Sequence, residues 1–154
     1  MKTLLLSTSL VLLVGGAMAQ ETRHTNVIRP DAVKWMENPA YPRGVQIATL
    51  VGDPTKAGET VVQRIKFPPN FTMPPHTHPF SEIVTVIRGT IGTNSGEKPE
   101  KKGGLLRPGS MWVYPAKHAH YAWTGDREAI LQVQYTGPGG IEYVNPADDP
   151  RKVR

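Results

Sequence analysis

Four of the chain's five histidines fall in two His-x-His pairs, His76 with His78 and His118 with His120. Alternate residues of a strand face the same side, so each pair can aim two imidazoles into one cavity. Glu82 keeps the parity of the first pair, which adds a carboxylate to the same face. Imidazoles and a carboxylate at such spacing are the donors of a divalent metal, and here they are written across two strands that must come together to share it.

The rest of the chain suits strands. Short β-rich runs, VQIATLVG, TVVQRIKF, EIVTVIRGTIG, SMWVYP, HAHYAW, AILQVQY and IEYVN, are separated by glycine and proline, and the chain holds 15 of each. That pattern predicts an all-β antiparallel sandwich or barrel. No stripe of helical period is long enough for a bundle. In Val61 to Phe67, the residues Val61, Gln63, Ile65 and Phe67 should face inward, with Arg64 and Lys66 outward. Between Glu82 and Arg88 both faces are apolar enough to be covered, by a sheet, a second subunit or the N-terminal arm. A short helix is expected around Ala32 to Glu37, and TNSGEKPEKKGG reads as an exposed loop between the two histidine pairs. The glycines read as turn residues.

His76, His78, Glu82 and Gly89 spell H-x-H-x3-E-x6-G, which resembles the first motif of the cupin family, with Asn70 where the leading glycine would stand. In the family's second motif Pro115 and His120 fit, while Lys117 replaces the internal glycine and Thr124 the closing asparagine. The resemblance runs from about Val45 to the C-terminus, and the tail GPGGIEYVNPADDPR is similar to that of small secreted bacterial cupins. It implies a single double-stranded β-helix (jelly-roll) barrel over residues 45–154, after an N-terminal arm at 20–44. It also implies one divalent metal per chain on His76, His78, Glu82 and His120, and pairing of barrels into a homodimer.

Three neutral imidazoles and one carboxylate suit manganese, iron, nickel, cobalt, zinc or copper alike. An octahedral ion on four protein ligands would keep two open positions, as a catalytic site requires. His118 shares the parity of His120 and reads three ways: the proton-moving catalytic residue at the rim, a ligand in place of His120, or a solvated side chain. Trp112, Tyr114, Tyr121 and Trp123 around the second pair, and Phe71, Met73 and Phe80 around the first, are expected to pack the core or line the entrance. Gln63, Gln132 and Gln134 could orient an imidazole. His24 reads as a surface residue, and Ser81 as a polar residue at a strand entry.

Met1 to Ala19 has the form of a cleaved signal peptide: a basic start at Lys2, an apolar centre, and Ala17-Met18-Ala19 at the cut. A periplasmic or secreted protein is the expectation, with no membrane association after cleavage, because the apolar run is shorter than the roughly 20 residues a span needs. Absence of cysteine excludes thiolate metal sites and cysteine nucleophiles. The 18 basic residues against 13 acidic are dispersed and not interleaved with aromatics, so no nucleic-acid surface is indicated. The expected partner is a small molecule. Three functional classes follow: a small exported metalloenzyme, either of oxygenase type or a lyase or isomerase using the metal as Lewis acid; a non-catalytic module that binds a small ligand or metal; and a structural or storage protein with a filled coordination sphere.

Overall fold

Alternation in TVVQRIKF sets one face of strand β3 (Thr60–Phe67), and the structure buries Val61, Ile65 and Phe67 on it. This is a computed structural model that describes residues 27–152; the leader expected at 1–19 and His24 lie outside the described residues. Around β3 stand β1 (Met36–Glu37), β2 (Gln46–Val51), β4 (Thr72–Thr77), β5 (Glu82–Arg88), β6 (Ile91–Ser95), β7 (Met111–Tyr114), β8 (His120–Thr124), β9 (Ala129–Thr136) and β10 (Glu142–Tyr143).

The pairings are antiparallel and build two sheets, of order β1-β2-β3-β9-β5-β7 and β10-β4-β8-β6. The sheets face each other as a jelly-roll, and their inner faces meet in a core that includes Val61, Met73, Val84, Val86, Ile91 and Leu131. Each such side chain contributes roughly 1.5–3 kcal/mol on burial. The tail belongs to this body: β10 pairs with β4, and the Tyr143 hydroxyl donates to the Ala40 carbonyl at 2.9 Å. Among the described residues no helix is long and apolar enough to cross a membrane.

Four local expectations are corrected. In place of a helix over Ala32 to Glu37 there is a 3-10 turn at Pro30–Ala32, and Met36–Glu37 then pairs with β2. The strand carrying His76 starts earlier than the β-rich runs suggest, at Thr72, and includes Pro74 and Pro75, which lack an N–H. It survives because the β4–β8 register shifts between Met73 and His76, and a bulge there accommodates the prolines. Thr93 to Ser95 belong to β6 rather than to a loop, and the segment beyond them packs on β8: Tyr121 donates its hydroxyl to the Glu100 carbonyl at 2.7 Å, and Asn94 Nδ2 donates to Lys102 at 2.8 Å. This helps explain why β8 is buried on both faces.

Gly92 is no turn residue; a Cβ on it would lie 2.1 Å from the Trp123 ring, so its bareness makes room for the indole. Gly89 does serve a turn, with φ of +72°. On β5, Val84 and Val86 are buried, whereas Ile83 and Ile87 are 40% and 39% exposed, so this chain alone leaves the outer face of the strand open.

Candidate metal centre

Three imidazoles converge from two neighbouring strands. His76 on β4 is directly opposite His120 on β8, with ring centroids 4.3 Å apart. His78, just beyond the end of β4, brings its centroid to 4.9 Å from His76 and 5.3 Å from His120. One nitrogen from each of the three lies within 4.8 Å of the others, and all three residues are buried. Glu82 arrives differently from the shared-strand parity expected of it. It opens β5 in the other sheet and reaches across, placing Oε1 at 3.0 Å from His120 Nε2 and Oε2 at 3.7 Å from His78 Nε2.

Each ring is held by its other nitrogen. His76 Nδ1 lies 2.7 Å from the Pro74 carbonyl, His78 Nδ1 2.7 Å from Gly140, and His120 Nδ1 2.9 Å from the carbonyl of His118. A carbonyl only accepts, so each Nδ1 carries a proton, and in the neutral ring each Nε2 presents a lone pair to the shared space. Burial pushes the His76 pKa well below the ordinary imidazole value, and positive charge on His120 or His78 would push it further. Burial lowers His78 as well, against the opposing pull of Glu82. Neutral imidazoles with oriented lone pairs beside a buried carboxylate form a set that a divalent cation fits.

The motif positions that depart from glycine keep a glycine-like backbone. Asn70 has φ of +52° and Lys117 of +63°, and they are the non-glycine residues with positive φ among those described. Lys117 stands third in a turn closed by His118 N–H donating to Pro115 O at 3.2 Å, and its own N–H donates to the His78 carbonyl at 2.8 Å. Thr124 ties the loop ahead of β4 to β8: its hydroxyl donates to Pro68 O at 2.7 Å and accepts from Phe71 N at 2.9 Å.

Residues 45–137 match the family model described as Cupin. This chain belongs to the cupin family. Germin-like protein 4-1 of Oryza sativa subsp. japonica is 35% identical over 92 residues, which are 53% of this chain and 36% of that protein, so the cupin described here spans about a third of the curated relative's length. Among solved structures, the polyketide cyclase RemF from Streptomyces resistomycificus superposes with a TM-score of 0.67 at 20% identity, covering 84% of this chain and 92% of its own. An oxalate oxidase superposes with a TM-score of 0.55 at 27% identity, over 70% of this chain and 59% of its own.

The cupin's remaining sequence-picked residues divide. His118 lies before the start of β8, in the turn that Lys117 bends, so strand parity with His120 does not apply to it. Its Nε2 is 2.7 Å from Ser95 Oγ and its ring stacks on Tyr114, outside the cavity wall. Gln63, Met73, Phe80 and Trp112 do line the metal-centre cavity. Gln132 and Gln134 fall on the alternate face of β9 from the buried Leu131, Val133 and Tyr135. Phe80 stacks on His78 at 5.0 Å and on Tyr135 at 3.9 Å.

Sequence reading missed Tyr41 and Tyr135. Both line the cavity, and burial raises both phenols, Tyr135 to about 12; the Glu82 carboxylate adds to the effect on Tyr41. Alternation along AILQVQY could have placed Tyr135 inside. No local signal places Tyr41, because it comes from the irregular arm.

Proposed function

We propose that this cupin is a metal-dependent enzyme acting on a small oxygen-bearing molecule, with His76, His78, Glu82 and His120 holding one divalent transition metal per chain. The observation that carries this reading is that three buried imidazoles spend their Nδ1 protons on carbonyls and turn their lone pairs, beside a carboxylate from the opposite sheet, into a cavity. A bound divalent ion supplies Lewis acidity and, where it is redox-active, electron transfer. Glu82 lowers the net charge presented to a substrate, the aliphatic wall excludes water, and Phe80 stacked on His78 fixes the ring that faces the substrate.

Both an oxygenase and a lyase or isomerase are compatible with these groups, and oxygen consumption during a substrate screen separates them. Metal analysis of the protein from its native compartment, followed by that screen in air and under nitrogen, tests the proposal. Protein that holds no divalent metal would sink it.

The reading includes export and pairing of chains. Export is supported by the Met1–Ala19 pattern, and an intact mass starting at Gln20 is expected. Pairing is supported by the outer face of β5 and β7, where Ile83 opposes Val113 and Thr85 opposes Met111, with Met111 64% and Val113 54% exposed. Apolar surface of this kind at a sheet edge gains from being covered by a second copy. Light scattering should give a dimer, and a monomer across micromolar concentrations would contradict it.

A further inference from the structure

Polar side chains in the metal-centre cavity divide into those already committed and those left over. Gln63 accepts at Oε1 from the Tyr135 hydroxyl at 3.0 Å and donates through Nε2 to Thr49 at 3.0 Å. Thr93 donates to the Tyr121 carbonyl at 3.0 Å and is paired with the Tyr114 hydroxyl at 3.1 Å. The imidazoles have committed their Nδ1 protons to carbonyls.

Two donor groups remain. The Tyr41 hydroxyl makes no hydrogen bond among the described residues, and Trp112 Nε1 is buried with no partner. For Trp112 Nε1, a buried donor without an acceptor, the cost is roughly 1–3 kcal/mol, and such a group persists where something else supplies the acceptor; the Tyr41 hydroxyl is the second donor on the same cavity wall, on a partly buried side chain. No lysine or arginine is among the residues lining this cavity. The rest of its wall is largely aliphatic, with Ile65, Leu131 and Val133 prominent.

We propose that the Tyr41 hydroxyl and the Trp112 indole N–H hold the oxygen atoms of the ligand bound at this centre, and that the ligand is a monoanionic oxygen chelator. The proposal rests on the metal-centre reading above. With a divalent ion and the Glu82 carboxylate the centre carries one net positive charge. A single negative charge balances it, while a dianion would be left with excess charge in a cavity that has no cation to offer. Neutral donors then fix the orientation of the oxygens.

Size limits the ligand further. The cavity has a volume of about 50 Å³, room for a head of a few atoms only. A second cavity of about 250 Å³ shares Tyr41, Gln63, Phe80 and Tyr135 with it as a common wall. Tyr41 therefore stands where the head of a ligand would end and any longer body would leave. Its position depends on the arm, which is pinned by the pairing of Met36–Glu37 with β2 and by the Tyr143 bond to Ala40.

The test uses the full chain loaded with cobalt(II) and titrated with acetohydroxamate, a small monoanionic oxygen chelator, followed by the visible spectrum of the ion. Tyr41→Phe deletes only the hydroxyl and decides on its own; Trp112→Phe is the companion, and Tyr121→Phe, whose hydroxyl bonds the Glu100 carbonyl outside the cavity, is the control. Expected are unchanged cobalt per chain in all three variants and an acetohydroxamate dissociation constant raised about tenfold in Tyr41→Phe and in Trp112→Phe. The control should bind as the original does. Affinity in Tyr41→Phe equal to that of the unchanged protein overturns the proposal. Failure of the unchanged protein to hold cobalt overturns the metal-centre reading, and the assignment of these donors with it.

Discussion

Glu82 and His120 belong to different sheets, yet Glu82 Oε1 and His120 Nε2 stand 3.0 Å apart. Nδ1 of His120 faces a carbonyl, so in the neutral ring Nε2 and the carboxylate oxygen are both acceptors, a pair that a shared proton or a metal cation between or beside them satisfies. A cation there joins the two sheets.

Chelation should therefore lower the thermal midpoint of the metal-loaded protein. A ligand at a hundred times its dissociation constant stabilises by about 2.7 kcal/mol, a shift of several degrees for a domain of this size. His76→Ala and His78→Ala should lose most bound metal and most of that shift, while His118→Ala, whose ring faces Ser95, should keep both. Metal content and calorimetry on the same samples check this. Loss in His118→Ala with retention in His120→Ala would reverse the choice between those two histidines.

Lys117 occupies a left-handed backbone position that costs a non-glycine residue roughly 1–2 kcal/mol. Lys117→Gly relieves that strain, and the exposed ion pair it gives up, Lys117 Nζ to Glu142 at 3.4 Å, is worth little. After allowance for the greater freedom of glycine in the unfolded chain, a net gain of about 0.5–1 kcal/mol is expected. Urea denaturation reads it as a higher midpoint, and a lower one would show the turn to be unstrained.

Gly92→Ala should do the opposite. Its new methyl would meet the Trp123 ring at 2.1 Å, inside a strand pair that cannot easily yield. Overpacking of this kind costs about 1–3 kcal/mol. The double variant with Trp123→Leu should lose less than the sum of the two single losses, because the smaller side chain vacates the space. Strict additivity would argue against the contact.

Stability of the metal-free protein should fall at both ends of the pH scale. The His76 and His78 pKa values are depressed in the fold, so the unfolded chain binds their protons first; their contribution is present above about pH 6.5 and is lost as pH drops below it. Tyr135 is raised from 10.0 to about 12, so its contribution is intact below pH 10 and is lost as pH climbs from there towards 12. Denaturant midpoints from pH 4 to 11 test both slopes. A flat profile below pH 6.5 would mean that the two imidazoles are not buried neutral.

Much of the site was legible because its donors follow strand periodicity. The pair His76 and His78, the inner face of β3 and the strand beginning at Glu82 follow alternation, and alternation needs only neighbouring residues. His118 escapes that rule, since the rule presumes a strand and the left-handed Lys117 delays that strand until His120. The prolines inside β4 are read locally as breakers, whereas the bulge that admits them exists only against β8.

By itself the sequence determined the donor atoms, the all-β class and the inward face of the well-alternating strands, because each depends on the chemistry and spacing of residues close together in the chain. Only the tertiary structure decided that Glu82 would reach His120 from the opposite sheet, that His118 would turn to Ser95, and that Tyr41 of the arm would enter the cavity beside them. The physical reason is that these contacts join segments far apart in the chain, and closing such separations is governed by how the two sheets and the arm bury their apolar faces together, which no local pattern records.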